Sequence, residues 1–144
     1  MKIKGALCAN YVKITTFVCN YQSVMDMLLK RKIDSYLQSW KTSLGKKPLI
    51  VNGARQIGKT RSIEWFAKNN YGHVVQINFV EQPKYKGIFD DGFEVDSIIK
   101  NISLLNPDYE FVANDTLLFF DELQACPNCA TALKFFKIDG RYDV

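Results

Sequence analysis

The sequence predicts an α/β domain built on a mainly parallel sheet. Three apolar runs, "PLIVN" at 48–52, "HVVQINF" at 73–79 and "TLLFFDE" at 116–122, alternate with segments whose apolar residues recur at helical spacing. Strands alternating with helices are the mark of that class. The first and third runs are apolar almost throughout, as expected of strands covered by helices on both faces. The first also leads directly into a glycine-bearing stretch, "VNGARQIGKT" at 51–60.

At 144 residues and 47% hydrophobic content, the chain holds one ordinary globular core rather than two. Its net charge is +4, but lysines and arginines are interspersed with acids, apart from short clusters such as Lys30-Arg31-Lys32 and Lys46-Lys47. That pattern reads as a solvated surface and gives no support for a nucleic-acid partner. No apolar run approaches the roughly 20 residues that span a bilayer. The opening "MKIKGALCANYVKITTFVCNYQ" has no signal-peptide cleavage pattern, so no membrane partner is expected. Cys8, Cys19, Cys126 and Cys129 do not form a secreted disulfide framework, which points to a reducing cytoplasm.

Residues 1–24 show little pattern and read as a poorly ordered extension or a translation-start artefact, because Met25 or Met27 would also serve as a start. The domain is expected over 25–144. Its first helix begins near Ser23, with Ser23 and Asp26 as a capping pair. Met25, Leu28, Leu29, Ile33, Tyr36, Leu37 and Trp40 form its apolar stripe. Gly45 and Pro48 close it. A second helix runs from Lys59 to about Asn69, with Ile63, Phe66 and Ala67 inward. The strand at 73 ends before Pro83. A third helix carries Val95, Ile98, Ile99, Ile102 and Leu105, with Pro107 soon after. Pro127 opens a fourth helix that turns Leu133 and Phe136 inward and stops at Gly140. The final "RYDV" reads as the opening of a fourth strand.

Gly53, Gly58, Lys59 and Thr60 match G-x-x-x-x-G-K-[ST], set between a strand and a helix as that motif requires. Average residue frequencies make a chance match in a chain this long about one in two hundred. The chemistry needs these residue types: glycines let backbone N–H groups converge on an anion, and the following helix N-terminus adds unsatisfied donors and a positive dipole end. The expected phosphate cradle is Gly53, Ala54, Arg55, Gln56, Ile57, Gly58, Lys59, Thr60 and Arg61. In it Lys59 reaches the β- and γ-phosphates as a catalytic contact and Thr60 offers its hydroxyl to Mg²⁺. Arg55 and Gln56 are expected to face away from the phosphates. A second Mg²⁺-orienting group should stand at the carboxyl end of another core strand. Asp121 ends "LLFFD" in that way, and Glu122 beside it is suited to polarise an attacking water as the general base.

The pairing of "GARQIGKT" with "LLFFDELQACP", after the helical entry "LKRKIDSYLQSW", resembles the AAA-type P-loop ATPases of bacteria and archaea that carry a C-terminal domain of unassigned function. The resemblance covers about Met27 to Val144. It implies an AAA+ fold of the ASCE type, ATP and Mg²⁺ as cofactors, nucleotide as the partner and a homo-oligomer formed through the AAA+ domain. It also implies a sheet with an extra strand between the phosphate-loop strand and the Asp121 strand, for which "HVVQINF" is the candidate by sequence order. Asn78 is implied as a switch that holds Glu122 inactive; the plainer reading is a surface polar residue. ATP over GTP rests on this resemblance alone, since phosphate loops do not read the base and no N-K-x-D-like guanine reader is present.

After "GRYDV" the family pattern would continue with a sensor strand, an arginine finger and a helical lid. The domain is therefore expected to be incomplete at its C-terminus, impaired in hydrolysis and prone to self-association. A nucleotide-dependent binding module and an inactive fragment are the alternatives. Cys126 and Cys129 lack partners at zinc-ligand spacing and read as structural, with some sensitivity to oxidation. Phe119, Phe120, Phe135 and Phe136 read as packing residues.

Overall fold

The computed structural model describes residues 31–54 and 57–144. The expected boundary at 24/25, the Ser23–Asp26 cap, Met25, Leu28, Leu29, Arg55 and Gln56 lie outside the described residues. The chain divides between Ser35 and Tyr36 into two units. In the first, the described residues open helix α1 (Lys32–Thr42): the Arg31 N–H donates to Asp34 Oδ2 at 2.9 Å, and Ser35 Oγ donates to the Lys32 carbonyl at 3.0 Å. Asp34 thus satisfies a donor that the helix start would otherwise leave bare.

The second unit carries the rest of α1, then α2 (Lys59–Asn70), β1 (His73–Asn78), a 3₁₀ segment (Pro83–Phe89), α3 (Val95–Leu105), β2 (Thr116–Asp121), a short 3₁₀ turn (Leu123–Ala125) and α4 (Pro127–Asp139). Helix α1 gives way to a turn at Gly45, whose φ of +65° suits glycine, and α4 stops at Gly140 with φ of +70°. The Gly140 N–H bonds the Phe136 carbonyl at 3.0 Å, so the terminal carbonyls are capped in the way the sequence signals.

Strands β1 and β2 are parallel and paired from His73↔Thr116 to Asn78↔Asp121. On the other side of β2 lies the end of the chain. Leu117 bridges Asp143 in parallel, the Leu118 N–H donates to the Asp143 carbonyl at 2.8 Å, and the Leu49 N–H donates to the Val144 carbonyl at 2.8 Å. The lateral order is therefore β1, β2, the Asp143 segment, then the Leu49 segment.

Two sequence expectations are corrected by this order. "HVVQINF" does not lie between the phosphate-loop segment and the Asp121 strand; it lies outside β2, and "RYDV" takes the intervening place. "PLIVN" runs alongside but is not a regular strand. Its described backbone pairing is the single Leu49–Val144 bond, and a ladder needs repeated pairs.

Strand alternation separates the two faces of β2. Leu118, with Val75 and Ile77 of β1, is buried among Tyr85, Ile88 and Phe89, among Val95, Ile98 and Ile102 of α3, and among Cys126, Cys129, Ala132 and Phe136 of α4. Phe120 stacks on Phe79 at 5.7 Å between ring centroids and touches Phe136 at 6.3 Å. Phe93 stacks on Phe135 at 5.7 Å. The phenylalanines thus pack as predicted. Each such large side chain contributes about 1.5–3 kcal/mol by burial, which makes this face the cohesive one. Leu105, expected inward, is 37% exposed at the end of α3.

The opposite face carries Leu117 and Phe119, which look across a cavity to α2 and the latter part of α1. Trp40 meets Phe66 at 6.4 Å, and Phe66 meets Tyr71 edge-on at 5.9 Å. Leu37, Phe66 and Ala67 are buried and Ile63 is half-buried, whereas Tyr36, expected on the apolar stripe, is exposed. Asp143 anchors the lower end of this layer. Its Oδ2 accepts from Lys46 Nζ at 2.5 Å and from the Tyr71 hydroxyl at 2.6 Å. Burial, reinforced by Asp143, pushes the Tyr71 phenol well above its ordinary range.

Candidate functional site

The glycine-bearing loop joins the Leu49 segment to α2. Gly58 precedes the helix with φ of +79°, a left-handed conformation that only glycine adopts without strain. At Gly53 a Cβ would stand 3.1 Å from Ile57 Cδ1 and 3.5 Å from Lys59 Cδ, so the loop closes tightly over the lysine stem. The first turn of α2 holds no acidic residue, and no side chain caps it. A helix start of that kind has a positive dipole end that favours an anion.

Lys59 is folded back onto the loop, its Nζ donating to the Gly53 carbonyl at 2.8 Å and the Ala54 carbonyl at 2.6 Å. Thr60, one residue on, points across to β2, and its Oγ1 donates to Asp121 Oδ2 at 3.2 Å. The two residues expected to share Mg²⁺ are 61 positions apart in sequence and meet at the end of the sheet. The second Asp121 oxygen, Oδ1, accepts from the Glu122 N–H at 2.9 Å. Ala54 and Ile57 are exposed, as is Arg61, whose place just past the loop is the rim of the site.

Glu122 departs from the strand in a left-handed conformation, φ 55° and ψ 46°. The Ala125 N–H bonds its carbonyl at 2.9 Å and so closes the short 3₁₀ turn behind it. The Glu122 carboxylate accepts a hydrogen bond from Gln124 Nε2 through Oε2. Sequence reasoning missed Gln124; the signal available was an amide two residues beyond the acid, within reach once the strand turns sharply. A non-glycine residue at positive φ stores strain of about 1–2 kcal/mol. Glu122→Gly should therefore leave the domain about 1 kcal/mol more stable than Glu122→Ala, although both delete the carboxylate. Urea unfolding of the two variants checks this, and an equally stable alanine variant would contradict the left-handed backbone.

Asn78 ends β1 directly opposite Asp121. Its Oδ1 accepts from the backbone N–H groups of Val80 at 2.9 Å and Glu81 at 3.1 Å, which fixes the turn after the strand. That oxygen is committed to the turn, so any contact with the Glu122 carboxylate would run through Nδ2.

Lys59, Thr60, Asp121, Glu122 and Gln124 share the wall of one cavity of about 620 Å³, which continues between the sheet and α2 past Trp40, Ile63 and Phe66. Among the described residues, no group of three or more histidine, cysteine or acidic side chains converges as a metal site. The donor set at Thr60 and Asp121 is a hydroxyl and a carboxylate. This suits Mg²⁺, which takes few protein oxygens and completes its shell with phosphate oxygens and water. Cys126 and Cys129 are buried under the opposite face, and burial, with Cys126 nearby, pushes the Cys129 thiol well up. A thiol held protonated there is a poor nucleophile, which favours the structural reading over oxidation sensitivity. No helix among the described residues is long and apolar enough to cross a membrane.

A family model described as the AAA domain matches residues 45–144. The match begins at Gly45, where α1 has ended, and takes in the loop, both strands and the Asp143 segment. No curated protein and no solved structure matches the chain. The match spans more than half of the chain, which therefore belongs to the AAA-domain family, whose fold is that of a nucleotide-binding domain of the ATPase type.

Proposed function

We propose that this chain binds ATP with Mg²⁺ at the loop 53–60 and hydrolyses it slowly, with Glu122 as the general base. The observation that carries the reading is the Thr60 Oγ1–Asp121 Oδ2 contact at 3.2 Å, which puts two hard oxygen ligands side by side at the mouth of an anion-accepting loop. Bound ATP·Mg²⁺ supplies a labile phosphoanhydride whose negative charge the metal partly neutralises. The chain's own residues bind, orient and move a proton. Backbone N–H groups at the start of α2 donate to phosphate oxygens. Lys59 exchanges its two loop carbonyls for the same oxygens, a trade of neutral acceptors for charged ones. Thr60 and Asp121 would hold the metal. Glu122 accepts the proton of the water that attacks, a role that requires an ionised carboxylate near the reacting centre.

The family membership supports nucleotide binding, and the identity of the base as adenine rests on the same ground. Asp121→Asn separates the roles. The lost carboxylate acts through the metal, so the variant should lose about tenfold in affinity for ATP with Mg²⁺, a loss of one charge-assisted contact. It should lose little for ATP with EDTA. Calorimetry in the two buffers gives the result, and an equal loss in both would remove Asp121 from the metal site.

A further inference from the structure

We propose that Gln124 is a positioning residue that holds the Glu122 carboxylate in place at the nucleotide site. This rests on the reading of Glu122 as the base and extends it to a residue that has no role in that reading. The local chain makes the contact specific. Glu122 is left-handed, its N–H is tied to Asp121 Oδ1 at 2.9 Å, and its carbonyl accepts from the Ala125 N–H at 2.9 Å. The backbone on both sides of the carboxylate is thus fixed, and the 3₁₀ turn Leu123–Ala125 returns Gln124 to the same side. Gln124 Nε2 donates to Glu122 Oε2, and both residues line the cavity that holds Lys59, Thr60 and Asp121.

A glutamate has three side-chain torsions, and in a half-open site it would sample many positions for its acceptor oxygens. One amide donor on Oε2 selects a single orientation and leaves Oε1 as the oxygen that takes a proton from water. A side chain held only by its own rotamer preferences loses that selection, and misplacement on the scale of 1 Å costs rate steeply.

Gln124 is exposed, so its replacement leaves the core untouched. Gln124→Ala should lower kcat for ATP about tenfold to a hundredfold with KM unchanged within about twofold. Gln124→Glu, nearly isosteric, sets a like charge against Glu122 and should lower kcat at least as much. A merely structural Gln124 would move thermal stability and leave kcat alone. The second readout needs no turnover. In the ¹⁵N spectrum of the full chain, the Gln124 side-chain amide should shift on Glu122→Gln, while the other glutamine amides stay in place. A Gln124 amide that does not move, or a Gln124→Ala variant with kcat within twofold of the parent, overturns the proposal. If the parent binds ATP·Mg²⁺ without releasing phosphate while the amide does shift, the contact is upheld and the hydrolysis reading fails instead.

Discussion

Replacing Lys59 with alanine should weaken ATP binding tenfold to a hundredfold. In the structure the ammonium group already satisfies two carbonyls of its own loop, Gly53 at 2.8 Å and Ala54 at 2.6 Å, so nucleotide binding replaces existing hydrogen bonds rather than creating contacts from nothing. The gain comes from the change of acceptor. A hydrogen bond to a charged group is worth about 1.5–3 kcal/mol net, and at about 1.4 kcal/mol per decade this gives the stated range. The loss should appear with Mg²⁺ and with EDTA alike, because on the proposed reading Lys59 would meet phosphate oxygens directly. That separates it from Asp121→Asn, which acts through the metal. Calorimetry on parent and variant measures the difference, and equal affinities would sink the assignment of this loop to phosphate. Lys59 is only half-buried, so the unfolding midpoint should change little, and the affinity loss can be read as local.

Glu122→Gln should reduce phosphate release about a hundredfold to ten thousandfold, the usual contribution of a positioned general base. The substitution keeps the length of the side chain and an oxygen that can still accept from Gln124, but an amide cannot take the proton of the attacking water. ATP·Mg²⁺ affinity should stay within about twofold, since Thr60 and Asp121, the pair proposed to hold the metal, are untouched and charge-assisted binding would lie elsewhere. A single-turnover phosphate-release measurement, run beside a binding titration, distinguishes the two quantities. Release unaffected by Glu122→Gln would remove this residue from the chemistry. If neither protein releases phosphate while both bind, the chain acts as a nucleotide-dependent binding module.

The local features of the protein were legible in the sequence because their causes are local. The left-handed turns at Gly45, Gly58 and Gly140 follow from the one residue type that takes positive φ without strain. Pro127 opens α4 because its missing N–H is one the helix start leaves unpaired in any case. The motif from Gly53 to Thr60 was readable through spacing alone as a candidate phosphate loop, and "LLFFD" showed a buried strand ending in an acid. What the sequence could not specify was which backbones would lie side by side. Parallel strands are joined by long crossovers, so sequence order does not dictate lateral order. Only the assembled sheet shows β1 outside β2 and the Asp143 segment next to Leu49. The same holds at the site. Thr60 and Asp121 are brought within 3.2 Å by the packing of α2 across the sheet end, and no spacing rule links positions so far apart. Glu122 was readable as an acid at a strand end, but its left-handed backbone and its bond to Gln124 are seen only in the folded turn that follows β2. A hydrogen bond between side chains depends on distance and angle to within tenths of an ångström, and the packed chain, rather than the order of its residues, sets those values.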